Sequence, residues 1–218
     1  MRRNCSVFIN CPFTVDYRPL LEATIFTVRA CGFRPRTSLE ASNSGEVRLD
    51  KIIRIASESD YSIHDLSAVE LDAGSGLPRF NMPFELGLVI GLKRLAPTMG
   101  QQPSLLVLER QKYSYQKCLS DIAGQDTRAH DGKVRLLILA VRDWLATESP
   151  EVRCHGGDAI ATDFAEFGKC LPGFCRKAGI RRNELTYTEF ALFAATWLAG
   201  NRSMSASQSD HGCQDFRK

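Results

Sequence analysis

The chain has 218 residues, of which 44% are hydrophobic and 24% charged, enough to build one well-buried core with a small helical addition. Its 28 basic and 25 acidic residues are spread along the whole sequence and give a net charge of +3, so bulk charge does not support direct nucleic-acid binding. No apolar run approaches the roughly 18 residues that span a membrane, and the run after Arg3 is too short for a signal-peptide core. We therefore expect a cytoplasmic protein.

The eight cysteines are dispersed through the chain, which favours reduced thiols over a disulfide framework. Cys154, His155, Cys170 and Cys175 could supply zinc ligands, but neither Cys-x-x-Cys nor His-x-x-x-His spacing is present. The sequence predicts ordinary buried or surface cysteines, with no metal and no resident cofactor.

The first half of the chain alternates between strand and helix patterns. Strands are predicted at residues 5–10, 33–39, 60–65 and 104–109, and helices at 17–31, 43–56 and 81–93. Pro35 cannot donate to a strand ladder, so the second strand should lie at an edge. The last strand is almost wholly apolar, as expected of a central parallel strand. This alternation predicts an α/β fold with a doubly wound, mostly parallel, flavodoxin-like sheet of four to five strands.

The second half of the chain is mostly helical in pattern. Helices are predicted at residues 133–147, 160–176 and 186–199, and the tail from Asn201 is rich in Ser, Asn and Gln, which is typical of disorder. We expect an α/β nucleotide-binding or catalytic domain at 1–130, a helical extension packed on it at 131–200, and a disordered tail at 201–218.

Ligands of open α/β sheets bind beyond the carboxyl ends of the strands, where the loops converge. Several candidate substrate-binding residues lie in loops of this kind: Asn10, Cys11, Pro12, Phe13, Ser44, Gly45, His64, Arg79 and Asn81. The backbone amides of Ser44 and Gly45, at the expected helix start, would suit a phosphate, and so would the guanidinium of Arg79. The alternative for Arg79 is a solvated loop arginine without a ligand. The alternative for His64 is a histidine that only forms a structural hydrogen bond.

Glu85 is the most unusual residue of the chain. With Asn81 as the helix N-cap and Pro83 in the first turn, Glu85 lies about one turn into the third helix, where the helix dipole favours an ionised carboxylate. Its helical neighbours are apolar up to Lys93, and a carboxylate in such surroundings is costly. Glu85 is therefore either a catalytic nucleophile or a residue that merely complements the helix terminus.

Three segments resemble the nucleoside 2-deoxyribosyltransferase-like family and the related TIR-like domains: residues 8–13 (FINCPF), 59–67 (SDYSIHDLS) and 81–87 (NMPFELG). In those proteins a strand ends in an aspartate-bearing loop, and a following helix carries a Glu-Leu-Gly motif. The resemblance covers about the first half of the chain.

The resemblance implies that Glu85 is the nucleophilic glutamate and that Asp65 is the loop aspartate that contacts the sugar. The family reaction is the cleavage of an N-glycosidic bond, whose oxocarbenium-like transition state a carboxylate stabilises. His64, Asp65 or Tyr17 would then stabilise or protonate the departing base.

Two departures from the family bear on the substrate. The Gly-Thr pair that commonly precedes the glutamate motif is absent, and the helical half has no counterpart in the compact transferases. Hydrolysis of a nucleotide, a nucleoside or NAD therefore fits at least as well as base transfer. NAD would then be a substrate and not a cofactor. Relatives of this type are often bacterial defence or stress effectors that act as homo-oligomers or with a partner protein. The alternative is a nucleotide-binding or TIR-like signalling and interaction module without catalysis.

Overall fold

A computed structural model of the chain describes five ranges of residues: 5–67, 80–95, 104–117, 119–122 and 124–209. Within these ranges, five parallel strands form one sheet in the order β2-β1-β3-β4-β5. The strands are β1 (Ser6–Asn10), β2 (Arg34–Arg36), β3 (Tyr61–Asp65), β4 (Leu105–Glu109) and β5 (Thr127–Ala129). This strand order is that of the flavodoxin-like doubly wound fold, so the predicted fold class is confirmed.

The edge position predicted for the proline-containing strand is confirmed. β2 pairs with β1 alone, and Pro35 lies opposite Val7 in that register. An edge strand tolerates a residue that lacks a backbone N–H, because only one side of the strand needs to pair.

Six α-helices lie in the described ranges: α1 (Arg18–Ala30), α2 (Arg48–Ser57), α3 (Asn81–Leu95), α4 (Val134–Glu148), α5 (Gly157–Ala178) and α6 (Tyr187–Ser209). The predicted start of the second helix at Asn43 is wrong, since α2 begins five residues later. Asn43 instead accepts a hydrogen bond from the backbone N–H of Gly45 at 3.0 Å, forming a local turn.

The two faces of the sheet are covered by different helices. Successive residues of a strand point to opposite faces, so the contacts of β1 show which helices cover each face. Val7 and Ile9 belong to a large core cluster that includes residues of α1, α4, α5 and α6. Phe8, between them in β1, packs in a smaller cluster with residues of α2 and α3. α1 and α4 therefore cover one face, and α2 and α3 cover the other.

The C-terminal helices share the core of the sheet. Phe26 of α1 stacks on Phe167 of α5 with ring centroids 5.4 Å apart, and Trp197 of α6 packs against both rings at 5.9 Å. α4 follows β5 and packs beside α1, so it completes the helical layer of the fold itself. α5 and α6 extend the same hydrophobic cluster.

The sequence predicted a disordered tail from Asn201, whereas α6 continues through residues 201–209 to Ser209. The segment is polar, but it contains no proline, and extending an existing helix costs far less than nucleating one. Residues 210–218 lie outside the described ranges. None of the described helices is long and apolar enough to cross a membrane.

Candidate active site at the carboxyl edge of the sheet

Four parallel strands place buried polar residues at one edge of the sheet, which we call the carboxyl edge. Asn10 is the last residue of β1, Asp65 of β3 and Glu109 of β4, and His130 directly follows β5. All four are at most 3% exposed. Buried polar groups need partners, so each of these side chains has a role that its hydrogen bonds reveal.

Glu85 lies in the second turn of α3 and is only 5% exposed. The Asn10 amide is close enough to its carboxylate to lower the pKa of that group, and the guanidinium of Arg48 lies 3.5 Å from it. Burial nevertheless raises the pKa of Glu85 above its usual value, against the opposing effects of Arg48 and Asn10. The helix dipole alone predicted that the ionised form of Glu85 is favoured, because that expectation took no account of how deeply the side chain is buried.

Arg48 was not singled out from the sequence. It begins α2 and reaches Glu85 across the space between two helices, while 56% of its own side chain stays exposed. Only the helical neighbours of Glu85 are evident from the sequence, whereas Arg48 comes from a different helix.

Asp65 is a hydrogen-bonded hub rather than an open loop carboxylate. It accepts bonds from the Tyr17 hydroxyl, from the backbone N–H of Ser67 at 2.8 Å and from His130 Nε2 at 3.0 Å. Burial alone raises the pKa of Asp65, but the bonds from His130, Ser67 and Tyr17 outweigh it and lower the pKa. Asp65 is therefore an ionised acceptor whose oxygens are already engaged.

Tyr17 and Cys11 keep their protons in these surroundings. Burial, together with the charge of Asp65, raises the pKa of the Tyr17 hydroxyl well above its usual value. Burial also raises the pKa of the Cys11 thiol, and both Asp65 and Glu85 lie close enough to raise it further. Cys11 is therefore a neutral thiol that feels the charge of both carboxylates, not a nucleophile.

The hydrogen bonds of His130 assign the accepting role to Nδ1 and the donating role to Nε2. The backbone N–H of Gly132 donates to Nδ1 at 3.0 Å, so Nδ1 accepts and Nε2 donates to Asp65. Ser67 Oγ lies 3.0 Å from the same Nε2. A Ser-His-Asp triad needs its serine and aspartate on different ring nitrogens, so this cluster does not form one. Sequence reasoning missed His130 because the three-residue β5 before it gives no apolar signal.

His64 lies at the end of β3 on the α2–α3 face, fully buried. Asn10 Nδ2 lies 3.2 Å from its Nδ1, while its Nε2 has no hydrogen-bond partner among the described residues. Burial, aided by the nearby Lys93 charge, lowers the pKa of His64 to about 3. His64 is therefore neutral at physiological pH and cannot serve as a general acid there.

Other predicted residues lie away from Glu85 or outside the described ranges. Phe13 packs against the large core cluster and lines a separate cavity of about 240 Å³ between α1 and α6. Ser44 is exposed in the turn before α2, and the Gly45 N–H is already bonded to Asn43, so the helix start predicted there is wrong. Arg79 lies outside the described residues.

The remaining two predicted residues flank the site. Asn81 is exposed and is the first residue of α3, so the preceding Phe80, not Asn81, occupies the N-cap position and accepts from the Phe84 N–H at 2.9 Å. Pro12 is buried directly after Cys11. It shapes the turn out of β1 without offering a polar group.

Exposed apolar side chains come from the same two helix starts that carry Glu85 and Arg48. Phe80 and Phe84, four residues apart, are 54% and 59% exposed, and Val47 is 63% exposed beside Arg48. Aromatic faces of this kind can stack on a planar base.

No group of three His, Cys, Asp or Glu side chains in the described ranges is arranged to hold a metal ion. Glu109 accepts hydrogen bonds from the backbone N–H of Tyr113 at 2.9 Å and from the hydroxyls of Ser114 and Thr127, so it caps the following turn.

No protein-family model, curated protein or solved structure matches the chain.

Proposed function

We propose that the protein cleaves the N-glycosidic bond of a nucleotide, a nucleoside or NAD, with Glu85 as the nucleophile. The observation that carries this proposal is the almost wholly buried Glu85 carboxylate, close to the Asn10 amide and faced by Arg48, at the edge where ligands of such sheets bind. A buried carboxylate with a raised pKa is costly to the fold, and such groups concentrate at functional sites. The resemblance of residues 59–67 and 81–87 to the deoxyribosyltransferase-like and TIR-like proteins supports the same chemistry.

In the proposed reaction a Glu85 oxygen bonds to the anomeric carbon while the bond from that carbon to the base nitrogen breaks. The electron pair of the broken bond leaves with the base, and water then hydrolyses the glycosyl ester, restoring the carboxylate. The exposed guanidinium of Arg48 would contact a phosphate, and Phe80 and Phe84 would contact the base.

The state of the neighbouring groups favours NAD among the three substrate classes. Of the candidate proton donors named from the sequence, His64 is neutral with a pKa of about 3, Asp65 is ionised, and the Tyr17 hydroxyl is bonded to Asp65. An ordinary base leaves more easily when it is protonated, whereas the nicotinamide of NAD is already cationic and leaves as a neutral molecule. A site that lacks a ready acid therefore suits NAD best.

The test is to incubate the protein with NAD, nucleoside monophosphates and nucleosides and to measure the free base by chromatography. We expect nicotinamide release that Glu85→Gln abolishes. Glu22→Gln is the matched control, because Glu22 is a buried carboxylate on α1 that is paired with Arg18 and Arg182. Absence of release from every substrate, at high protein concentration as well as low, contradicts the proposal.

A second candidate is a nucleotide-binding or TIR-like signalling module that binds at the same edge without cleaving its ligand. The long 3.5 Å contact between Arg48 and Glu85 and the exposed Phe80, Phe84 and Val47 favour it, because these groups suit recognition as well as catalysis. Calorimetric binding of a nucleotide that survives Glu85→Gln, without turnover by the wild type, would support this alternative.

The proposal extends to the location of the protein and to its biological role. A cytoplasmic location gives access to nucleotides and NAD, and a role as a bacterial defence or stress effector follows from the resemblance. In that setting, assembly with further copies of the chain or with a partner protein would switch the activity on.

A further inference from the structure

Asn10 lies between two acceptors at the end of β1. Its side-chain nitrogen lies 3.2 Å from His64 Nδ1, and its amide is also close enough to the Glu85 carboxylate to lower the pKa of that group. A carboxylate can only accept, so the amide nitrogen, which carries two N–H groups, must face Glu85. The second N–H is then directed at His64, which makes Nδ1 the acceptor and puts the imidazole proton on Nε2.

The other ring nitrogen of His64 makes this arrangement unusual. Nε2 is buried and has no hydrogen-bond partner among the described residues, although a buried N–H ordinarily has one. The ring lies edge-on to Phe8, with centroids 6.0 Å apart, and Lys93 on α3 is held by Ser62 Oγ at 2.9 Å. An apolar side chain would fill this space without an unsatisfied donor, so what the imidazole supplies is its Nδ1.

We propose that His64 is a positioning residue, whose Nδ1 fixes the Asn10 amide so that its other N–H holds the Glu85 carboxylate. The geometry supports this role because Asn10 and His64 are directly paired across β1 and β3, so the backbone sets the spacing of the two side chains. The proposal rests on the proposed function in giving Glu85 the reacting role. It acts through Asn10 and requires no contact between His64 and substrate.

Two variants of His64 separate positioning from packing. Asparagine carries its side-chain oxygen near the position of the imidazole Nδ1, so His64→Asn keeps the acceptor, whereas His64→Leu removes it. We expect His64→Leu to raise the pKa of Glu85, measured by carboxyl carbon NMR, and to move the acid limb of kcat to higher pH. Among the described residues, Arg48, Asn10 and Cys11 are the groups whose charge or polarity acts on or responds to Glu85, and they are the same in both variants.

In the base-release assay we expect His64→Leu to lower kcat about three- to tenfold with little change in KM, as the loss of one hydrogen bond implies. His64→Asn should recover most of that loss. If the two variants give the same Glu85 pKa and the same kcat, His64 only packs and the proposal is overturned.

The tautomer of His64 provides a test on the wild-type protein, which does not depend on either variant folding. Nitrogen-15 NMR of labelled histidine should show an Nε2–H imidazole that stays neutral at pH 5, because the pKa of His64 is about 3. An Nδ1–H tautomer would overturn the proposal. The tautomer and the Glu85 pKa need no substrate, so a wild type that is inactive on every substrate would refute the proposed function while these readouts still decide the positioning role.

Discussion

The Tyr17 hydroxyl donates a hydrogen bond to the Asp65 carboxylate and so joins the start of α1 to the end of β3. Both side chains are at most 4% exposed. Asp65 also accepts from His130, which follows β5, so one carboxylate ties together the segments that follow β1, β3 and β5. Its first role is therefore to hold the carboxyl edge in shape around Glu85.

Removing the donor should weaken this connection. Tyr17→Phe leaves the ring in place but deprives a buried carboxylate of one hydrogen bond, so we expect the free energy of unfolding to fall by about 1–3 kcal/mol. Urea denaturation at pH 7 measures the change. Tyr187→Phe is the matched control, because the Tyr187 hydroxyl is buried without a hydrogen-bond partner among the described residues. Equal losses in the two variants would show that the Asp65 contact contributes nothing.

Acid should remove the contribution of Asp65. Its pKa is lower in the folded protein than its usual value, so the stabilisation is present above that usual value and is lost as the pH falls through the folded pKa. We expect Asp65→Asn to cost about 2–3 kcal/mol at neutral pH and progressively less below about pH 4.

Denaturation curves at several pH values between 7 and 3 measure this convergence. Asp158→Asn serves as the control, since Asp158 forms an exposed ion pair with Arg135 and such pairs contribute little at any pH. A difference between wild type and Asp65→Asn that is constant with pH would contradict the role assigned to the carboxylate charge.

The main elements of the fold could be predicted from the sequence because they depend on local patterns. β1 and β4 are marked by short apolar runs, and α1 is marked by apolar residues at helical spacing. Pro35 alone indicates an edge strand. β5 carries no such signal, because all three of its residues are only half-buried. The prediction of four to five strands allowed for β5 without locating it.

The candidate site was only partly predictable, because its partners come from distant parts of the chain. Asp65 and Glu85 stand out locally, whereas Arg48 reaches Glu85 from another helix and His130 reaches Asp65 from sixty-five residues away. Ser44 was misplaced for a different reason. The Asn-Ser-Gly sequence suits a turn as well as a helix start, and the structure forms the turn.

Glu85→Gln should stabilise the protein. Because burial raises the pKa of Glu85 in the folded state, the ionised form costs stability at neutral pH, and this cost disappears as the pH falls through the folded pKa. We expect the variant to unfold at a free energy about 0.5–1 kcal/mol higher at pH 7, as is common when a functional charge is removed. The advantage should vanish toward pH 4.

Glu22→Gln is again the comparison for this measurement. Glu22 is also buried, but it is held by Arg18 at 2.9 Å and by Arg182 at 2.5 Å, so its loss should destabilise the protein. If Glu85→Gln destabilises the protein as Glu22→Gln does, Glu85 is a structural ion-pair partner and its claim to a catalytic role weakens.

The helical half should prove integral to the fold. Phe167 of α5 is fully buried and packs against Phe26 and Trp197, which belong to two other helices. Phe167→Ala would leave a cavity where these helices meet, so we expect a loss of about 3–5 kcal/mol in a single cooperative unfolding transition. Leu192→Ala on α6 is the control, because that side chain is 59% exposed and its loss should cost little. A transition that splits in two in Phe167→Ala, with the sheet unfolding as in the wild type, would instead show that α5 and α6 form a separate unit.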